Sequence, residues 1–120
     1  MHPDIEQIAR ECHEAIRVYG TSIGETHQLP WDQAPDPQKK SMVAGVRLVL
    51  DQPDIKPGVL HTQWCEYKAR RGWTWGPELN TVLQTHPQLV PFEKLPDEQK
   101  RKDEIFLETV KACLSKVLDA

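Results

Sequence analysis

Apolar residues recur along this chain at steps of three and four positions, which is the spacing of an amphipathic helix. The pattern predicts four helices, at about residues 4–19, 36–50, 60–71 and 96–118. Asp36 stands where an N-cap is expected, and Gly45, inside the second helix, is interpreted as a point of close packing. Alternation is too weak for more than one or two short strands, predicted at 73–75 and 89–92. The predicted fold class is therefore mainly α with one or two short β elements.

Two segments of the chain repeat each other. Residues 30–40 read PWDQAPDPQKK and residues 91–101 read PFEKLPDEQKR, an offset of 91 − 30 = 61 positions. A histidine-bearing helix precedes each copy, and the histidine-to-proline distances are 30 − 13 = 17 and 91 − 61 = 30 residues. The second copy thus carries about a dozen additional residues, within 73–86. A single helical unit rarely buries its own apolar face, so the repeat predicts two helix–loop–helix halves related by a rough two-fold axis. The alternative is that common helix-entry residues recur by chance.

The two halves are assigned to residues 1–58 and 59–120 and are predicted to pack as one domain. The net charge of −3 provides no basic field, so a nucleic-acid polymer is not an expected partner. The three cysteines form no CxxC pair, so neither a metal site nor a disulfide framework is predicted. The chain has neither a bilayer-spanning apolar stretch nor a signal peptide, which predicts no membrane association and a cytoplasmic location.

The second half carries an ordered set of short motifs. They read HTQW from position 61, GWTWGP from 72, HPQLVPF from 86 and LPDEQK from 95. Together they resemble the ryanodine receptor (RyR) domain, a repeat found in ryanodine receptors and in many short bacterial and phage proteins. The resemblance covers roughly residues 60–118. Residues 12–15, 30–31 and 34–35 are more weakly similar to the N-terminal part of small phage-encoded RyR-domain proteins.

The resemblance implies a paired helical repeat that recognises a ligand and does not catalyse a reaction. The paired repeats of the receptors resemble adenine-nucleotide binders, and prokaryotic relatives look like sensors of nucleotide-derived signals. A phage-encoded member is expected in the host cytoplasm. The chain departs from the family at Trp75, often a tyrosine there, and at Leu79, Asn80 and Leu83, where charged residues are frequent. A ligand phosphate must therefore be met elsewhere, and the basic residues at 68, 70 and 71 are the candidates.

Tryptophans next to basic residues are the main candidates for ligand recognition. Trp73 and Trp75 are two positions apart, so both rings face the same side of an extended segment. Indole faces suit stacking on a nucleobase, with guanidinium groups as phosphate donors, and Trp73 is the first choice for the stacking residue. The full predicted ligand-binding set is Trp31, His61, Trp64, Arg70, Arg71, Trp73, Trp75, Asn80 and His86. The alternative is that the rings fill a small core, with Trp64 the foremost core candidate.

Motifs of common catalytic sites are missing, since the sequence contains no GxSxG, Walker loop or GxGxxG. We therefore expect no enzyme, no catalytic residue and no cofactor. The predicted function is binding of a small nucleotide-type ligand, an adenine nucleotide or an ADP-ribose-like signal, which a phage protein would sequester. The alternatives are a protein–protein interaction or assembly module, including a homo-oligomer, and an uncharacterised nucleotide hydrolase.

Overall fold

Four helices form most of the molecule. The computed structural model describes residues 4–119, with side chains described to residue 116. The helices are α1 (Ile5–Ser22), α2 (Asp36–Asp51), α3 (Pro57–Arg70) and α4 (Asp97–Asp119). The strands β1 (Thr74–Trp75) and β2 (Thr85–His86) pair in parallel. The prediction of a mainly α fold with short β elements is confirmed. No helix within residues 4–119 is both long and apolar enough to cross a bilayer.

Helix entry follows two different routes. At α1 a side chain caps the helix, since the Asp4 carboxylate accepts a hydrogen bond from the Gln7 backbone N–H at 3.1 Å. At α2 the prediction that Asp36 is the N-cap is wrong. Pro35 occupies that position in an extended conformation, and its carbonyl accepts the first helical N–H groups. The fixed φ of proline thus sets the start of α2 without a side-chain cap.

The predicted second strand was misplaced. Residues 89–92 form no strand, and Phe92 instead begins a short 3₁₀ turn that leads into α4. Pro91 explains the difference, because its φ of −54° favours the turn and it has no N–H for a strand ladder. The strand that pairs with β1 is β2, and backbone hydrogen bonds between Asn80 and Thr85 hold it in place across a loop.

The predicted repeat is present as matched hydrogen bonds. His13 Nε2 lies 2.6 Å from the Leu29 carbonyl oxygen, and His61 Nε2 lies 2.8 Å from the carbonyl oxygen of Val90. Because a carbonyl only accepts, each Nε2 carries the proton. Matching 3₁₀ turns precede α2 and α4 at Trp31–Gln33 and Phe92–Lys94.

The ends of α1 and α3 match as well, at an offset of 72 − 24 = 48. Gly24 and Gly72 have φ values of 90° and 88°, a left-handed conformation that closes both helices and favours glycine. Since the offset is 48 before the loop and 61 after it, the second half contains 61 − 48 = 13 additional residues. That insertion carries the two-stranded sheet.

A core common to both halves holds the helices together. α1 packs on α2 and α4, and α3 packs on the same two helices. α2 and α4 meet at Gly45, where an added Cβ would lie 2.9 Å from Cζ of Phe106, so the predicted close approach is confirmed. The buried apolar cluster consists of Ile8, Ala9, Cys12, Trp31, Val46, Val49, Ile55, Leu60, Phe106, Leu107, Val110 and Cys113. The boundary at residue 58 and the packing as one domain stay predictions.

Candidate ligand-binding cleft

An open cleft of about 450 Å³ lies between α2 and the end of α3. This volume is in the range of small-molecule sites in proteins. Its walls are formed by Glu6, Trp31, Lys39, Lys40, Val43, Ala44, Arg47, Tyr67 and Arg71. Four of these residues are basic and one is acidic, whereas the whole chain is acidic. We refer to this surface as the basic cleft.

Helical periodicity gathers the cations of α2. Lys39, Val43 and Arg47 are spaced four residues apart, and Lys40 lies beside them, so these side chains share one face of the helix. Among the residues whose side chains are described, no carboxylate oxygen lies within 4.0 Å of the nitrogens of the four cleft cations. The four cations of the basic cleft therefore make no ion pair with a described carboxylate.

Arg71 and Tyr67 form one wall. The guanidinium carbon of Arg71 lies 3.5 Å from the centre of the Tyr67 ring. One guanidinium nitrogen also donates a hydrogen bond to the Tyr67 carbonyl at 3.2 Å, which satisfies an unpaired carbonyl in the last turn of α3. Arg71 itself is exposed, so its position is fixed from one side only.

Trp31 closes the inner end of the cleft. Trp31, one of the predicted ligand-binding residues, is only 3% exposed, so it offers little ring surface for stacking. The edge of the His13 ring meets the indole at a centroid distance of 5.7 Å, and the Lys39 ammonium lies 5.6 Å from the indole ring centre. Trp31 is thus a core residue that supports the cleft.

The matching positions of α4 carry a different charge pattern. Lys40, Val43 and Arg47 are replaced, at the offset of 61, by Arg101, Glu104 and Glu108. Arg101 pairs with Glu108 at 3.0 Å and with Glu104 at 3.7 Å. This pairing raises the pKa of Arg101, first through its hydrogen bond to Glu108. The second half therefore pairs Arg101 within its own helix, whereas Lys100, which matches Lys39, makes no ion pair with a described carboxylate.

Four of the predicted site residues meet in a second place, which we call the aromatic cluster. It consists of His61, Trp64, Trp73 and His86, with neighbouring ring centroids 5.1–6.5 Å apart. The Lys68 ammonium lies 4.8 Å from the centre of the Trp73 ring. Burial, and then the nearby Lys68 charge, lowers the pKa of His86 to about 4, so this ring is neutral at pH 7. The aromatic cluster does not line the basic cleft.

The remaining predicted residues lie outside both places. Asn80 Oδ1 accepts hydrogen bonds from the backbone N–H groups of Val82 and Leu83 at 3.0 and 2.9 Å, so its carbonyl is used to shape the loop. Trp75 is 57% exposed on β1, and Arg70 is exposed at the end of α3. Of the nine predicted residues, the basic cleft includes Trp31 and Arg71.

A third group was not predicted from the sequence. Cys65 Sγ lies 3.4 Å from His61 Nε2, and His61 Nδ1 lies 3.8 Å from Asp103 Oδ2. The order resembles a nucleophile, base and acid, but Nε2 is occupied by the Val90 carbonyl, and burial raises the pKa of Cys65 to about 11. Burial also raises the pKa of Asp103 to about 7 and lowers that of His61, so the contact favours two neutral groups over an ion pair. Such a thiol is not activated for attack.

Comparison with known families agrees with the geometry of the second half. Residues 58–117 match the RyR domain, and 117 − 58 + 1 = 60 residues is half of the 120-residue chain. The chain belongs to the RyR domain family. This RyR domain begins at α3, contains the sheet and ends within α4. Membership marks the protein as a binding or interaction module, in line with the coarser part of the predicted function.

The matched RyR domain contributes only one wall of the basic cleft. Tyr67 and Arg71 lie inside the matched residues, whereas Glu6, Trp31 and the α2 cations precede them. Sequence reasoning missed Lys39, Lys40 and Arg47, although their common helical face was a usable signal. That this face of α2 lies next to the end of α3 could not be predicted from the sequence, because the contact depends on tertiary packing.

Proposed function

We propose that this RyR-domain protein is a non-catalytic module that binds a small nucleotide-type ligand, an adenine nucleotide or an ADP-ribose-like molecule, in the basic cleft. The observation that carries the proposal is the set of four cations without carboxylate partners among the described side chains, next to an aromatic wall. At the matching positions of α4, Arg101 is paired with Glu104 and Glu108, so the scaffold accepts a carboxylate where α2 has Arg47.

The charge balance favours a ligand with at least two negative charges. Four basic side chains and the Glu6 carboxylate give the walls a net charge of +3. Lysine and arginine heads at an open cleft suit phosphate oxygens, and arginine can hold two of them at once. A cleft of about 450 Å³ also has room for a base and a sugar. A nucleoside diphosphate or a related dinucleotide fits these requirements.

The proposal excludes turnover of the ligand. The nucleophile closest in arrangement to a catalytic group, Cys65, is not activated and does not line the basic cleft. A module that binds without turnover acts by holding its ligand, and in a phage this would sequester a host signal. Incubation with the bound nucleotide followed by ion-exchange chromatography should return the ligand unchanged. Release of a product would establish a hydrolase.

The test is calorimetric titration with AMP, ADP, ADP-ribose and pyrophosphate. The Arg47→Ala variant should bind the doubly charged ligands more weakly by a factor of roughly 5–15, since one exposed charge pair contributes about 0.8 kcal/mol per ligand charge at 5 Å in water. Arg101→Ala is the matched control, because this arginine is paired and lies on the equivalent surface of the other half. Equal loss in both variants, or binding of no ligand by the native chain, contradicts the proposal.

Trp73→Ala distinguishes the basic cleft from the aromatic cluster. Trp73 lies against His86 and Lys68, outside the cleft, so its replacement should leave nucleotide affinity nearly unchanged. If Trp73→Ala abolishes binding while Arg47→Ala retains it, the aromatic cluster is the site.

A second function, a protein–protein interaction module, is favoured by the insertion. Its loop exposes four large apolar side chains: Trp75 at 57%, Leu79 at 45%, Val82 at 89% and Leu83 at 71%. Adjacent exposed apolar groups of this kind are typical of contact surfaces. Light scattering would detect a homo-oligomer, and replacement of Val82 and Leu83 by serine should dissociate it if this loop forms the interface. A monomer at all concentrations argues against self-assembly.

A further inference from the structure

Arg71 differs from the other three cations of the basic cleft. Its guanidinium is stacked on Tyr67 at 3.5 Å, a normal contact distance between two flat groups, and a hydrogen bond to the Tyr67 carbonyl fixes it there. The corresponding end of α1 lacks this arrangement, because the residue matched to Arg71 by the offset of 48 is Ile23. The stacked pair is therefore a specific feature of the cleft rather than a product of the repeat.

We infer that the Tyr67–Arg71 pair is the platform on which the planar ring of the ligand stacks, while the α2 cations bind the phosphates. This assignment rests on the proposed function and adds the roles of individual residues. A guanidinium is planar and weakly hydrated, and it stacks on aromatic rings with both of its faces. Tyr67 covers one face, and the exposure of Arg71 leaves the other open to the cleft.

The geometry separates this role from phosphate binding. The Arg71 guanidinium, whose carbon lies 3.5 Å from the Tyr67 ring centre, donates to a backbone carbonyl and so has one nitrogen already committed. Lys39, Lys40 and Arg47 have no such restraint toward a neighbouring ring of α3 and lie together on the face of α2. A ligand that spans the cleft thus meets a flat surface at one wall and point charges at the other. The chemistry selected is an aromatic base joined to a diphosphate, not a diphosphate alone.

The experiment compares ADP with pyrophosphate, which share the diphosphate and differ in the base and sugar. In the native chain ADP should bind more tightly by roughly fivefold or more, the effect of stacking one base. Arg71→Lys keeps the charge and removes the flat face, so it should lose that preference while pyrophosphate affinity changes by less than about twofold. Tyr67→Leu should behave in the same way, and Tyr67→Phe should retain the preference. Thermal melting of each variant shows that the fold is kept, and the two conservative changes, Arg71→Lys and Tyr67→Phe, replace exposed or half-buried groups.

Each result decides one question. If Arg71→Lys weakens ADP and pyrophosphate equally, Arg71 is a phosphate ligand and the platform is wrong. If Tyr67→Leu leaves the ADP preference intact, the platform is wrong as well. Equal affinity of the native chain for the two ligands overturns the stacking inference while anion binding in the cleft stands. If the native chain binds neither ligand, the proposed function fails and the inference fails with it.

Discussion

Replacing Gly45 by alanine, where α2 crosses α4, changes the free energy of unfolding through two effects of opposite sign, helix propensity and steric contact. Alanine in a helix interior is favoured over glycine by about 1 kcal/mol, so propensity alone predicts a more stable protein. The new Cβ, however, would lie 2.9 Å from Cζ of Phe106 and 3.5 and 3.6 Å from two further ring carbons. Phe106 is only 7% exposed, so either its buried ring or one of the two helices has to shift to relieve the contact. Overpacking of this kind costs about 1–3 kcal/mol. We expect a net loss in the free energy of unfolding of about 1 kcal/mol, since steric cost exceeds the propensity gain.

The assay is urea unfolding followed by far-UV circular dichroism, performed as a double-mutant cycle with Phe106→Leu. Leucine removes the ring atoms that meet the new Cβ. In that background Gly45→Ala should become stabilising by up to about 1 kcal/mol, because only the propensity term remains. A loss of about 1 kcal/mol corresponds to a decrease of roughly 4 °C in Tm for a chain of this size. The sign of the substitution should therefore invert between the two backgrounds.

A stabilising effect of Gly45→Ala in the native background would refute the crossing geometry. So would equal effects in both backgrounds, because the cycle would then contain no coupling between the two positions. The pair has a special place in the repeat, since 106 − 45 = 61 is the offset of α2 to α4. The contact therefore joins equivalent positions of the two copies, where two large side chains would collide. Glycine in one copy and phenylalanine in the other resolve that collision.

Three further outcomes are expected. Arg47→Glu places at position 47 the residue found at the matching position 108. It should weaken the binding of a doubly charged ligand by roughly 10–100-fold at low salt, since each charge pair at 6 Å contributes about 0.7 kcal/mol in water. Calorimetry at two salt concentrations should show that this loss of affinity becomes smaller as the salt concentration rises. Burial raises the pKa of Asp103 from 3.8 to about 7, so the folded state binds the carboxyl proton more tightly than the unfolded state does. The protonated carboxyl therefore stabilises the fold fully below about pH 4, and this stabilisation is lost as the pH rises to about 7. Asp103→Asn should therefore gain stability relative to the native chain between pH 4 and 7 in thermal melts, and a constant difference would contradict the assignment. His13→Ala should cost about 2–4 kcal/mol in urea unfolding, because the Leu29 carbonyl loses its donor and a fully buried ring is removed; a loss below about 1 kcal/mol would mean that the contact contributes little.

The helices and the repeat are predictable from sequence because their causes are local. The apolar spacing of α1 and α4 depends on residues that are close in the chain. The predicted N-cap of α2, Asp36, was wrong by a single residue, because Pro35 holds that position. The sheet is different, since a two-residue strand has no periodicity. Its position depends on backbone pairing of Thr74 with Gln84, and on a left-handed φ of 56° at Gln84.

The candidate site was only partly predictable, for a related reason. Composition and the RyR resemblance singled out Trp31 and Arg71, yet whether an indole is buried depends on what packs against it. His13 comes from a distant part of the chain and covers Trp31. Arg71 was proposed beside Trp73, but folding turns it toward Tyr67 one helical turn earlier. The sequence therefore indicated which residue types to consider for the site, but it did not indicate which side chains each of them contacts in the folded protein.

The repeat explains why one cleft and not two is suited to an anion. The basic cleft joins the face of α2 to the end of α3, so its counterpart would join α4 to the end of α1. There the matched tyrosine, Tyr19, donates its hydroxyl hydrogen bond to the Glu98 carbonyl at 2.9 Å, and Ile23 stands in place of Arg71. Arg101 is paired within its own helix, so that counterpart keeps Lys100 without a described carboxylate partner but lacks the flat cation and the charge that Arg47 provides. The two equivalent surfaces thus differ in side chains that leave the helices intact. The basic cleft holds more cations without a carboxylate partner among the described side chains, and a bound anion would supply their countercharge.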